Sequence, residues 1–449
     1  MKQIIKTSIS ILIIISALAG CNNNTFMEES TVKQTTTKSE INEDTENFIS
    51  TYKVVAEASD WGAVSTKAII ELKGEIEKKD LCSFNVKETN SNAANIERTV
   101  TNVYLSDEKG GEVTEPSMYI TIEMSVDPIH GTLFYYDTSV RNNIWNENYK
   151  LVFTPINPQN DILKNLSVSP KYTERITPQA DKFQYSKFKY NDITMNYAEY
   201  SPAENREKNP LVIWLHGKGE GGDDVTKTLL GNKVTALADY EIQNKLGGAY
   251  VVVPQCPTYW PETSVDGGYN GERPTGKSCY TETLKALIDK IIALNSDIDT
   301  NRIYIGGCSM GGYMTINMIM EYPDFFAAAF PICEYYPDSL ITNQQIVTLA
   351  NIPLWFTYCE YDNSVNPSTY AEATVTRLNE ANAENLHMSV FNDVHDTTGK
   401  YFGDDGNPYV YDPHWSWIYA LNDKCFDGDV DMWKWIAEQN REIRNPTSK

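Results

Sequence analysis

The stretch "IYIGGCSMGGYM", Ile303 to Met314, decides how this chain is read. Ile303 to Ile305 has the character of a buried strand, Gly307-Cys308-Ser309-Met310-Gly311 fits G-x-S-x-G, and an apolar helical pattern follows at once. Glycines two residues either side of a serine leave room for a strained strand-to-helix turn, which lifts the hydroxyl above the sheet. The helix N-terminus behind such a turn favours negative charge developing there. Cys308 reads as a small residue fitted beside the turn rather than as a reactive thiol. A phosphate-cradling role does not fit either, because these glycines serve the turn. The better phosphate-loop match, "GERPTGKS" at Gly271 to Ser278, is a decoy. A polar loop precedes it where a buried strand is needed, and Pro274 removes one cradle N–H.

Outward from this turn, "LVIWLH" (211–216), "AYVVVPQ" (249–255), "AAAFPI" (327–332), "IPLWFTYC" (352–359) and "LHMSVF" (386–391) read as further buried strands. Helical patterns lie between them at 280–294, 312–322 and 368–382. Strands alternating with helices predict an α/β domain over residues 180–442, with a mostly parallel sheet and its ligand site in the loops beyond the strands' carboxyl ends.

A nucleophilic serine needs a base, and the base an orienting carboxylate. In this fold class the chain order is Ser, then Asp, then His. "IPLWFTYCEYDNSV" supplies Asp362, with Glu360 as competitor. His395, in "FNDVHDTTG", and His414, in "YDPHWSWIYAL", both follow in order, and position alone does not choose between them. The oxyanion donors expected are the Met310 backbone N–H and, from "LHGKGEGGDD", the Lys218 backbone N–H. His216 precedes that turn and reads as a positioning residue; His387 and His130 read as structural.

Residues 48–170 carry a different period. In "SMYITIEMSV", Met118, Ile120, Ile122, Met124 and Val126 alternate with Tyr119, Thr121, Glu123 and Ser125, the signature of a half-buried strand. Several such segments separated by turns such as "DEKGGE" predict a small all-β sandwich. Residues 22–47, rich in Asn, Thr, Glu and Lys, read as a disordered tether. Residues 1–21 combine Lys2 and Lys6, a short apolar run and "LAGC". That ending resembles the lipobox of bacterial lipoproteins, which implies cleavage before Cys21, lipidation of its sulfur and an extracytoplasmic, membrane-anchored protein.

The formal charge of −23 argues against nucleic acid as a partner. Eight cysteines, seven without Cys21, form no evident disulfide framework, although a bridge between Cys256 and Cys279 is conceivable. No metal or organic cofactor is called for; "DDGN" (404–407) and "DGDVD" (427–431) lack a full calcium-ligand loop.

Taken together, "LHGKGEGGDD", "DIDTNRIYIGGCSMGGYMTINMIMEYPDFFAAAFPICE", "IPLWFTYCEYDNSV" and "HWSWIYALND" resemble bacterial secreted α/β-hydrolase esterases of the prolyl-oligopeptidase-like, polyhydroxybutyrate-depolymerase-like and feruloyl-esterase-like group. "EASDWGAVSTKAIIEL" and "VTNVYLSDEKGGE" resemble the immunoglobulin-like N-terminal domain of esterases of the EstA type. The resemblance implies a serine carboxylesterase acting on small or polymer-linked esters. It places the base in a Gly-His-x-Ser-Trp-like stretch, matched here by His414-Trp415-Ser416-Trp417 with Pro413 in the glycine's place. His414 is therefore expected as base, with His395 shaping the loop nearby. The rival expectations are a serine peptidase using the same residues and a non-catalytic surface-binding lipoprotein.

Overall fold

The computed structural model describes residues 50–202, 208–264 and 274–444. The signal-like segment, Cys21, the tether and the first three residues of the phosphate-loop decoy lie outside them.

The N-terminal unit is built from antiparallel strands, as the period-two pattern predicts. Its larger sheet runs in the order Arg175–Ile176, Thr51–Ser59, Gly62–Ile76, Ser117–Met124, Val100–Ser106. A second sheet pairs Ile96–Arg98, Phe84–Thr89 and Lys150–Pro155. Ile120, Ile122 and Met124 are buried as expected, but so is Thr121. Its hydroxyl bonds the Ser106 hydroxyl at 2.8 Å, beneath the 107–111 turn. Between the sheets, the fully buried Arg98 guanidinium pairs with Glu88 and donates to the Ser65 and Ser125 carbonyls, each at 2.9 Å. The sheet reaches past the expected boundary at 170, because Arg175–Ile176 pairs in parallel with Val54–Val55.

The catalytic-type domain has one eight-stranded sheet. Its strands are β1 (Gln184–Tyr190), β2 (Ile193–Tyr200), β3 (Asn209–Leu215), β4 (Tyr250–Gln255), β5 (Ile298–Cys308), β6 (Ala328–Ile332), β7 (Leu354–Cys359) and β8 (Leu386–Phe391). The order across the sheet is β1-β2-β4-β3-β5-β6-β7-β8. All pairs from β4 to β8 are parallel, while β1 and β2 join antiparallel at one edge. That edge hairpin was not anticipated. Its residues alternate Lys and Asn with apolar groups around a tight turn at Asn191, where φ is 51°, so no apolar run announces it.

Helices α1 (Thr281–Leu294), α2 (Met310–Glu321) and α3 (Ala371–Glu380) cover the sheet. The first buries Leu284, Leu287, Ile288 and Ile291 on one face, the i, i+3, i+4, i+7 stripe of an amphipathic helix. Helix α2 is buried continuously from Met310 to Ile319, since it lies between the sheet and its neighbours.

The junction of β5 and α2 is the tightest point. A Cβ on Gly307 or on Gly311 would overlap the Leu215 carbonyl oxygen at the end of β3. Gly311→Ala is therefore expected to force β3 and α2 apart and to cost roughly 1–3 kcal/mol or more, read as a lowered urea midpoint with an unchanged m-value.

Candidate active site

Ser309 sits at the β5–α2 turn with φ 55° and ψ −114°, a conformation non-glycine residues rarely adopt. Its backbone is held on every side. The Ser309 N–H donates to the Ile332 carbonyl at 2.9 Å, and its own carbonyl accepts from the N–H groups of Tyr313 (2.9 Å) and Tyr335 (3.1 Å). The serine stands half-buried in the wall of a cavity of about 560 Å³. Met310, Lys218, Gly217 and His414 share that wall.

Asp362 comes from the loop after β7 and is buried, 2% exposed. One carboxylate oxygen lies 2.7 Å from His414 Nδ1, and the other accepts the Ser364 and Val365 N–H groups, both at 2.8 Å. An aspartate so held has one free direction left, toward the histidine. His414 is itself set by Asp412, whose side chain accepts the His414 backbone N–H at 2.9 Å, a turn compatible with Pro413 between them. Trp417 stands edge-on to the imidazole, ring centroids 5.7 Å apart. Glu360, the competing acid, is exposed.

The other histidines are otherwise engaged. His395 bonds Asp393 at 2.7 Å and the Tyr419 hydroxyl at 3.1 Å, and its side chain does not line the cavity. His216 is buried, accepting the Cys256 N–H on Nε2 at 2.9 Å with Nδ1 2.6 Å from the Gly217 carbonyl. Burial pushes its pKa down to about 4, so it is a neutral spacer with both ring nitrogens used. His387 pairs with Asp427 and stacks on Trp355; His130 pairs with Asp127.

Cys308 is buried, with burial raising its thiol pKa well above the ordinary value; it packs beside the turn as expected. Cys256 and Cys279 are free, so the conceivable bridge is not formed. Tyr335, Trp415 and Trp417 line the cavity. Trp260 instead donates to the His216 carbonyl, Tyr336 stacks on Tyr313, and Tyr259 reaches the Val140 carbonyl. The decoy's Gly276 and Lys277 carbonyls accept the hydroxyls of Tyr336 and Tyr313. In "DGDVD", Asp427 holds His387 while Asp431 caps the helix Met432–Glu438 and pairs with Lys245.

From the sequence the N-terminal unit reads as a spacer or as a wall of the substrate cleft, with none of its residues singled out. Asp60, Trp61, Phe134, Tyr135, Tyr136 and Asn143 all line the Ser309 cavity. The hairpin Phe134–Asp137/Asn142–Trp145 docks on the 217–224 loop. Asn142 donates to the Gly221 carbonyl at 2.8 Å, Asn143 to Glu220 Oε1 at 2.8 Å and the Trp145 indole to Asp224 at 2.7 Å. These residues are scattered in sequence and form no motif, so only the fold brings them together.

Glu220 is buried next to the Lys218 backbone and 3% exposed. Burial pushes its carboxyl up to about 7, against the opposing pull of the Gly217 N–H and the Asn232 and Asn143 amides. Folding thus holds a proton that an unfolded glutamate releases near about pH 4.3. Stability from this group is complete below that pH and is lost as pH rises through about 7. The total is up to about 4 kcal/mol. Glu220→Gln should remove that dependence: urea unfolding at pH 4.5 and pH 8 should show the variant gaining on the parent at the higher pH. Equal differences at both pH values would contradict it.

Residues 51–202 match the esterase Ig-like N-terminal domain, and residues 199–404 match the phospholipase/carboxylesterase family. A poly(3-hydroxyalkanoate) depolymerase C from Paucimonas lemoignei is 28% identical over 149 residues, 33% of this chain and 33% of that protein. The chain thus spans about a third of the length of that curated relative. The crystal structure of a thermostable esterase has a TM-score of 0.66 at 25% identity, over 87% of this chain and 99% of the other. With a mostly parallel α/β sheet behind an N-terminal unit of mostly strands, the chain is similar to the phospholipase/carboxylesterase family over residues 199–404 and to the esterase Ig-like N-terminal domain over residues 51–202.

Proposed function

We propose that the protein hydrolyses carboxylic esters through a Ser309–His414–Asp362 triad and an acyl-enzyme intermediate. The observation that carries this reading is the 2.7 Å Asp362–His414 hydrogen bond in the wall of the cavity that Ser309 also lines. Asp362 holds the imidazole with its Nδ1–H directed at the carboxylate, which leaves Nε2 as the base. Nε2 takes the Ser309 proton as Oγ attacks the ester carbonyl, then returns it to the leaving alcohol oxygen. A water repeats the sequence on the acyl-enzyme and frees the acid and Ser309.

Negative charge on the tetrahedral oxygen is met by the Met310 and Lys218 backbone N–H groups. The first lies at the N-terminus of α2, and both residues border the cavity. The residues present call for no cofactor in this scheme. The location belongs to the proposal too: Cys21, in "LAGC", carries a lipid that fixes the protein to the outer face of a bacterial cell membrane. The charged n-region and short apolar run before it support that reading.

Kinetics on p-nitrophenyl acetate and on the matching p-nitroanilide test the chemistry. His414→Ala is expected to lower kcat/KM on the ester by about 10⁴-fold or more, and His395→Ala by no more than a few-fold. The parent should favour the ester over the amide. A His395→Ala collapse with His414→Ala spared, or faster amide cleavage, would contradict the assignment.

A further inference from the structure

A second cavity, about 730 Å³, lies between the Ig-like domain and the 409–415 segment of the hydrolase domain. It runs into the Ser309 cavity, because Trp61, Phe134, Tyr135, Tyr136 and Trp415 border both. Grooves at domain interfaces that open onto a reactive group are where substrates bind, and the mechanism above leaves this one unused.

Its chemistry is specific. A series of near-parallel rings leads from its lining toward the histidine. Trp61 and Tyr411 lie 6.4 Å apart at 25°, Tyr411 and Trp415 6.2 Å at 25°, and Trp415 and Trp417 6.0 Å at 29°. Trp417 then meets His414 edge-on. The lining also carries the side-chain amides of Asn92, Asn146 and Asn148. Asn146, Thr132 and Tyr411 are 2%, 8% and 5% exposed. The Asn146 amide nitrogen, the Thr132 and Tyr411 hydroxyls and the Trp61 indole N–H have no hydrogen-bond partner among the described residues. Unpaired polar groups gathered around one cavity cost free energy unless a ligand or water meets them.

The lining also says which ligand. It includes no Lys or Arg and only one carboxylate, Asp412, so neither a polyanion nor a polycation is matched. A purely aliphatic chain would leave the amides and hydroxyls unpaired. A neutral sugar chain offers C–H faces to the rings and hydroxyls to the amides. We propose that this groove binds the neutral glycan portion of a substrate whose ester lies at Ser309. The proposal rests on the ester-hydrolase reading and adds to it a substrate class: esters borne on uncharged polysaccharide.

Tyr409 and Asn148 border the groove without bordering the Ser309 cavity, so their substitution tests it cleanly. With acetylated xylan as substrate, Tyr409→Ala and Asn148→Ala should each raise KM roughly fivefold, the worth of one aromatic face or one hydrogen bond. Constants for p-nitrophenyl acetate should stay within about twofold. Calorimetry of the Ser309→Ala protein with acetylated xylo-oligosaccharide should show binding that Tyr409→Ala weakens by a similar factor, a readout independent of turnover. Unchanged KM values and calorimetric curves in both variants, beside normal p-nitrophenyl acetate hydrolysis, would overturn the glycan groove and leave the esterase reading intact. A larger effect on a 3-hydroxybutyrate oligomer than on xylan would also overturn it, in favour of an aliphatic polyester. A parent protein inert on p-nitrophenyl acetate would overturn the esterase reading, and the calorimetry would still decide the groove.

Discussion

The structure depends on one strained residue held by its neighbours. A serine at φ 55° and ψ −114° costs of order 1–3 kcal/mol and persists only where the surroundings leave no alternative. Here the alternative is removed by three backbone hydrogen bonds and by the contact of Gly307 and Gly311 with the Leu215 carbonyl. Because β3, β5 and β6 all take part, the register of the central sheet and the position of Ser309 are one constraint. Relaxing the turn would displace the hydroxyl, the Met310 N–H and the start of α2 together.

Around that fixed point, separate loops bring the remaining groups to the same end of the sheet. Asp362 follows β7, His414 follows β8 after a long insertion, and Lys218 follows β3. Two of these loops are tied down by side chains that do no chemistry: Asp412 sets the backbone of His414, and Asn142 and Asn143 tie the 217–224 loop to the Ig-like domain. The N-terminal unit is therefore more than a spacer. It supplies one wall of the cavity and braces the loop that carries Lys218.

What the sequence made legible was local. The G-x-S-x-G turn, the buried parallel strands and the acid after β7 are each written in consecutive residues, and each is found where it was expected. The choice of His414 over His395 was not local; it came from the resemblance of "HWSW" to a family pattern. In the structure His414 bonds Asp362, whereas His395 bonds Asp393. The edge hairpin β1–β2 escaped because its lysines and asparagines alternate with apolar residues and leave no continuous apolar run like those of the buried strands. The cavity wall from Trp61, the 134–136 segment and Asn143 escaped because residues so far apart in sequence meet only through domain packing. Glu220 was visible in "LHGKGEGGDD", but nothing in that string reveals that it is buried and proton-holding.

The central claim is that Ser309 is a nucleophile activated by His414. Reaction of the intact protein with a fluorophosphonate, followed by peptide mass spectrometry, measures it directly. The account predicts one adduct per chain, located on Ser309, formed at a normal rate in His395→Ala and far more slowly in His414→Ala. An adduct on another residue, or labelling of Ser309 that does not slow when His414 is removed, would contradict it.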